Sequence, residues 1–247
     1  LSDPRRTGEK GRGIFDEVFG NIVLPSSPQR FDPSYEEYWS ERTATGVLTE
    51  PARRRARAVL PFISSGDTVL DVGCGTGETL DLIRQSRGIE GTGLDISANA
   101  LASTAAKGFK TIQMDLTREG IELSGTWDHI LLFEVAEHIV DAEALLEKLS
   151  GRFDKGLYIT TPNLGYIAHR LRLLFGRFPV TYISDPREHV RYWSVGDFRI
   201  WTRWLSLGEP SVLGLRGKSR LLARRWPALW ASEVLYVLRP TEKNLLR

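Results

Sequence analysis

Apolar positions along the chain switch between two periods. Thr68-Val69-Leu70, Ile89 to Leu94, Lys110 to Met114, Trp127 to Phe133 and Gly156 to Thr161 are β-rich runs. The fourth is apolar almost throughout, as a strand buried on both faces of a parallel sheet should be. Between them the spacing turns helical. Pro51 stands where a helix starts, and Ala56, Val59, Leu60 and Ile63 recur on one side of the segment that follows. Leu80, Leu82 and Ile83 give Glu78 to Gln85 a buried side. Ser97 is placed to cap a helix that runs to Lys107 and stops at Gly108, and Asp141 to Leu149 is amphipathic. Strand and helix alternating at this rhythm predict an α/β fold, a parallel sheet covered by helices on both faces.

The rhythm breaks at both ends. Residues 1–30 are polar, charged and glycine-bearing at their start and read as a flexible tail. Residues 31–247 read as one domain. Within it, residues 31–62 are expected to form N-terminal lid helices, with Tyr35, Tyr38 and Trp39 over the ligand or packed on the sheet. Residues 162–193 are expected to form a substrate-side cap around a basic, apolar helix from Leu164 to Phe175. Ser194 and Asp197 have the spacing of a capping box for a helix through Leu207. Two further β-rich stretches follow, near Ser211 to Leu215 and Glu233 to Leu238.

Composition adds two constraints. The one cysteine forms no internal disulfide, there is no apolar leader run, and no stretch approaches the roughly 18 apolar residues of a membrane span; a cytoplasmic protein is expected. The net charge of +2 conceals an asymmetry. Residues 1–150 hold 16 Lys and Arg against 24 Asp and Glu, whereas residues 151–247 hold 17 against 7. The basic half suits an anionic or lipid-linked small-molecule acceptor, a lipid surface, RNA or an acidic partner, or is a solvated face.

The chemistry starts where the first strand turns into its helix, at Asp71-Val72-Gly73-Cys74-Gly75-Thr76-Gly77. Glycines there let backbone and ligand approach closely, and the helix start offers free N–H donors. Asp95, ending the second strand beside Ile96, suits ribose hydroxyls. Nicotinamide, flavin and S-adenosylmethionine sites share these features. The glycine spacing is GxGxG, with Glu78 where a dinucleotide site places its last glycine. Asp71 would repel a pyrophosphate but suits the ammonium and sulfonium of S-adenosylmethionine. Asp115 is placed to accept from an adenine amino group while Met114 or Leu116 packs on the ring. Cys74 reads as a small packing residue of the turn.

Val69 to Gly77, with Gly93-Leu94-Asp95 and Gln113-Met114-Asp115, resembles the class I S-adenosylmethionine-dependent methyltransferases. The resemblance implies a Rossmann-like, mostly parallel seven-stranded sheet whose last strand is antiparallel, and S-adenosylmethionine as cofactor. The fourth strand's end, Glu134-Val135-Ala136-Glu137-His138, should then face the transferable methyl. His138 is the candidate general base, and Glu134 the residue that borders the cofactor and positions the acceptor. The same run resembles ubiquinone-biosynthesis-type O-methyltransferases and the small-RNA 3′-terminal 2′-O-methyltransferases. In the latter, two Glu and two His hold a divalent metal. That likeness implies Glu134, Glu137, His138 and, from the later His-x-x-x-Trp pattern, His189 as ligands; shaping the pocket or capping the next helix is the alternative role.

Leu157 to Asn163, Arg170 to Thr181 and the His189 to Trp193 stretch resemble the methionine-biosynthesis MetW family, which lacks the Glu-x-x-Glu-His run. Three functions are therefore expected in order. The first is O-methylation of a small-molecule hydroxyl on a sugar, glycolipid or secondary metabolite. The second is an accessory subunit of a homoserine acyltransferase, and the third RNA 2′-O-methylation. Arg170, Arg172 and Arg177 of the cap helix are expected to meet a phosphate, carboxylate or lipid headgroup, or to form an ordinary solvated face.

Overall fold

The computed structural model describes residues 13–20, 49–115, 118, 122–179 and 189–241; Leu116, Tyr35, Tyr38 and Trp39 lie outside them. The described elements in chain order are α1 (Ile14–Phe19), α2 (Glu50–Val59), β1 (Thr68–Val72), α3 (Glu78–Arg87), β2 (Glu90–Asp95), α4 (Ala98–Ala106), β3 (Lys110–Gln113) and β4 (Trp127–Phe133). They continue with α5 (Ala142–Leu149), β5 (Phe153–Pro162), α6 (Ile167–Leu174), α7 (Val195–Trp204), β6 (Ser211–Arg216), α8 (Arg220–Arg225), α9 (Pro227–Trp230) and β7 (Glu233–Leu238).

The described strands form one seven-stranded sheet in the order β3-β2-β1-β4-β5-β7-β6. Strands β1 to β5 run parallel, and β7 inserts antiparallel between β5 and β6. Alternate side chains of the central strands feed two cores, as the period of two requires. Leu70, Ile130, Leu132, Ile159 and Tyr236 pack toward α5 and α7, where the Phe198 ring stacks on Tyr236 at 3.7 Å. Val69, Leu131, Tyr158 and Leu235 pack toward α2 and α3. The sheet's carboxyl end is thereby fixed from both sides.

Local signals explain most boundaries. Thr49, Ser97, Asp141 and Ser194 each accept from a first-turn backbone N–H, and Ser194 with Asp197 completes a capping box. Two expectations needed correction, and one segment that the sequence reading left unassigned is helical. The cap helix starts at Ile167 rather than Leu164, because the Asn163 carboxamide accepts from Gly165 N at 2.9 Å and turns the chain there. The segment between β6 and β7 holds α8 and α9, opened by Ser219 and Pro227. Part of the expected tail, Ile14–Phe19, is a helix that packs on α6 through Val18, Tyr166 and Ala168.

Arg172 ties that helix down. Its side chain is only 1% exposed and donates to the carbonyls of Glu17, Val18 and Phe178. Last-turn carbonyls of a helix have no partner within it, and a guanidinium with a fork of donors supplies one. Arg172 is therefore a buried cap for α1 and does not face an anionic ligand, as the sequence had suggested.

Candidate active site

The turn after β1 is held by backbone bonds to β2. Gly73 N and Cys74 N both donate to Leu94 O, at 2.8 and 3.1 Å. Gly73 and Gly77 have φ of +72° and +79°, and a Cβ at either would lie under 3 Å from Val135 or Thr104. Only glycine satisfies both conditions. Gly75 N donates to Asp95 Oδ2 at 2.9 Å, and Ser97 N to Asp95 Oδ1 at 3.0 Å. The Asp95 carboxylate is thus aimed by two backbone donors, one from the glycine turn and one from the start of α4. Cys74 is buried beside the Thr104 hydroxyl at 3.9 Å. Burial, with Asp71 and Asp95 nearby, holds its thiol far above the usual range, which suits packing and not nucleophilic work.

Met114 N donates to Asp95 O at 3.0 Å, so β3 delivers Met114 and Asp115 to the same edge. Ile96, 40% exposed, stands beside them, and Asp115 pairs with Arg118 at 3.3 Å.

Asp71 is 3% exposed at the end of β1, and its carboxyl is pushed up to about 8 by burial and then by Asp95. At the end of β4 the backbone of Glu134 takes φ +54°, with its N–H donating to Thr160 O and Oγ1 at 3.2 and 3.1 Å. A non-glycine residue in that region costs roughly 1 kcal/mol or more and is held only where its surroundings impose it. Burial and then Glu233 raise the Glu134 carboxyl to about 7, against the Arg55 guanidinium 3.6 Å away.

Arg55 and Glu233 carry no motif in the sequence. Arg55 sits on α2 among four arginines in five positions, a run that reads as solvated charge, and Glu233 merely opens a β-rich stretch. The fold brings them together: Arg55 Nη1 lies 3.1 Å from Glu233 Oε1, and Arg54 lies 3.6 Å from Glu233 Oε2. Register places Glu233 opposite Pro162, at the carboxyl end of β5.

Glu137 and His138 lie on a single 3-10 turn after β4. Val190 N and Arg191 N both donate to Glu137 O, and Arg191 grips Glu143 and Val140 O. These bonds bring His189 beside the turn, its ring stacked on His138 at 4.8 Å between centroids. One ligand atom from each of Glu137, His138 and His189 lies within 4.8 Å of the others. Glu137 is 1% exposed, and neither of its carboxylate oxygens has a hydrogen-bond partner among the described residues. Burial and then Glu134 hold its carboxyl well above the ordinary range. Of the four residues expected to gather, Glu134 stands apart from this trio and turns toward Arg55.

Strand order, the antiparallel β7 and a glycine turn closed by Asp95 together define the fold of a class I S-adenosylmethionine-dependent methyltransferase. A solved S-adenosylmethionine-dependent methyltransferase from Archaeoglobus fulgidus has this fold at a TM-score of 0.60 and 16% identity, over 82% of this chain and 99% of that one. The chain belongs to the family described as methionine biosynthesis protein MetW, whose model matches residues 53–238. A bifunctional methionine biosynthesis protein MetXA/MetW from Rhodopirellula baltica is 27% identical over 44% of this chain and 19% of its own length. An (S)-tetrahydroprotoberberine N-methyltransferase from Eschscholzia californica is 27% identical over 67% of this chain and 45% of its own length. The chain spans less than half the length of the curated relatives it matches.

Proposed function

We propose that this chain binds S-adenosylmethionine at the glycine turn and transfers its methyl group to a hydroxyl of a small-molecule acceptor held at the end of β4. The observation that carries the reading is the buried Asp71 directly beneath the turn, with Asp95 aimed across from it. Asp95 accepts from the ribose hydroxyls, Asp71 meets the amino group, and Met114, Ile96 and Asp115 border the adenine. The positive sulfonium then faces Glu134. In the transfer the acceptor oxygen bonds the methyl carbon as the carbon–sulfur bond breaks. Where His138 holds no metal, the hydroxyl proton passes to its imidazole, leaving a neutral thioether. Holding the acceptor in line supplies most of the rate, and Glu134 is the positioning group.

The trio Glu137, His138 and His189 fits a divalent cation. One carboxylate and two imidazoles are a suitable donor set, and a buried carboxylate without hydrogen bonds is costly unless it is protonated or meets positive charge. Bound there, Mg²⁺, Mn²⁺ or Zn²⁺ would supply Lewis acidity toward the acceptor oxygen. The test is a hydroxylated-acceptor screen that reads S-adenosylhomocysteine release, with and without divalent metal. Turnover that needs metal and is lost in His189→Ala supports both parts of the reading. Turnover unchanged by chelation removes the metal, and release with amine acceptors alone removes the hydroxyl.

Membership of the MetW family favours a second reading, an accessory subunit of a homoserine acyltransferase; the Rhodopirellula protein joins both names in one chain. Co-purification with such an enzyme, and no S-adenosylhomocysteine from any acceptor, would establish it over the first.

A further inference from the structure

The acidic pocket has a counterpart on the surface that is opposite in character. Leu164 to Phe178 and Ser211 to Trp230 contain no Asp or Glu. The fold joins the two segments at the root of α6. Asn163, at the root of α6, donates to Pro227 O, Ala228 O and Ala231 O, while Glu17 of α1 accepts from Tyr166 and pairs with Lys218. At the tip of α6, Leu173, Leu174, Phe175 and Phe178 are 44–75% exposed, with Phe19 set against Phe175 at 5.2 Å. On α8, Leu221 is 77% exposed, and Trp226 just after it is 53% exposed, with the Arg225 guanidinium over the indole. Arg220, Arg224 and Arg225 are exposed, and no carboxylate of the described residues pairs with them.

We infer that this face docks on an anionic lipid bilayer. Leu174 and Phe175 standing out on α6, and Leu221 standing out beside the unpaired Arg220, Arg224 and Arg225 of α8, match the boundary between acyl chains and phosphates, where apolar burial and electrostatic attraction act together. A single-stranded nucleic acid fits less well. Its bases stack on aromatic faces, whereas the two most exposed apolar side chains here, Leu174 and Leu221, are leucines. The charge asymmetry points the same way, since the cations lie in the half that holds 17 Lys and Arg against 7 Asp and Glu. No described helix is long and apolar enough to cross a membrane, so the contact is peripheral. The face lies on the elements that follow β5 at the carboxyl end of the sheet, the end that carries Glu134 and Glu137. An acceptor lying in the bilayer interface would reach the site from there.

The test is co-sedimentation of the full chain with phosphatidylcholine vesicles and with vesicles containing phosphatidylglycerol. The expected result is binding to the anionic vesicles about tenfold or more above the neutral ones, released by high salt. The double variant Leu174→Glu/Phe175→Glu and, separately, Arg224→Glu/Arg225→Glu should each lose it while melting like wild type. No preference for anionic vesicles, or binding unchanged in both variants, overturns the proposal. So does a stable dimer in light scattering that the Leu174→Glu/Phe175→Glu variant dissolves, because a second copy then covers the face. None of these outcomes depends on methyl transfer, so failure here leaves the catalytic reading standing.

Discussion

The two ends of the sheet treat the same residue types in opposite ways. At the amino end Asp67 and Asp128 lie beside buried His129. Lys155 reaches Asp67 at 2.5 Å and Asp128 at 2.9 Å, His129 Nε2 meets Asp67 at 2.9 Å, and Tyr158 Oη meets His129 Nδ1 at 3.2 Å. Burial raises the Asp67 carboxyl, but Lys155, Ser64 N and His129 outweigh it and hold the group at about 2. At the carboxyl end Asp71, Glu134 and Glu137 are raised, chiefly by burial and then by Asp95, Glu233 and Glu134 respectively. A carboxylate given partners on folding adds stability; one deprived of them is stabilised in its protonated form and awaits a cation. The contrast separates scaffold from site more sharply than exposure does, since Asp67 and Asp71 are both at least 95% buried.

The largest effect is expected from Asp95→Ala. It removes the proposed acceptor for the ribose hydroxyls and strands the donor of Gly75, and should weaken cofactor binding by about 100-fold, from roughly 1.5–3 kcal/mol for each hydrogen bond to a charged group. Calorimetric affinities that match wild type would place the cofactor elsewhere. Next is the pair Asp67→Asn and Asp71→Asn. The first should cost about 2 kcal/mol of stability at pH 7 in urea denaturation. The second should leave the ligand-free protein as stable or more stable, because it removes a group that is costly to ionise. Equal losses in the two would erase the contrast. The pH dependence follows by sign. Asp67, lowered in the folded state, contributes stability above its unfolded value near 4, lost as the pH falls toward about 2. Asp71, raised to about 8, makes the ligand-free protein lose stability as the pH rises from about 4 to 8. Melting temperatures that rise steadily through that window in Asp71→Asn relative to wild type would bear this out. The smallest effect is expected from Glu137→Gln, a rise of about 1 kcal/mol in metal-free stability together with loss of metal binding. Retention of metal would contradict the trio.

Much of the glycine turn's geometry was legible because its signals are local. Gly73, Gly75 and Gly77 punctuate one strand-to-helix turn, and Asp95 closes the next strand. The cluster at the end of β4 was less so. Arg55, Glu134 and Glu233 meet across a sequence separation of 178 residues, and nothing local in a run of arginines marks the one that turns inward. Arg172 misled for the same reason, since a basic residue on an amphipathic helix looks solvated until α1 arrives to need a cap. His138 and His189 were linked by a motif pattern, and the bonds from Val190 and Arg191 to Glu137 O supply its physical cause. Glu134 was grouped with them by a family resemblance, and it lies against Arg55 with a left-handed backbone.

The most direct test is a titration of S-adenosylmethionine into the protein at pH 7, run calorimetrically in two buffers of different ionisation enthalpy. If the ligand's ammonium settles on Asp71, binding releases about one proton, because a carboxyl poised near 8 must ionise to receive it. The release should vanish in Asp71→Asn, with the affinity reduced. Absence of binding, or binding with no proton released from wild type, would contradict the account.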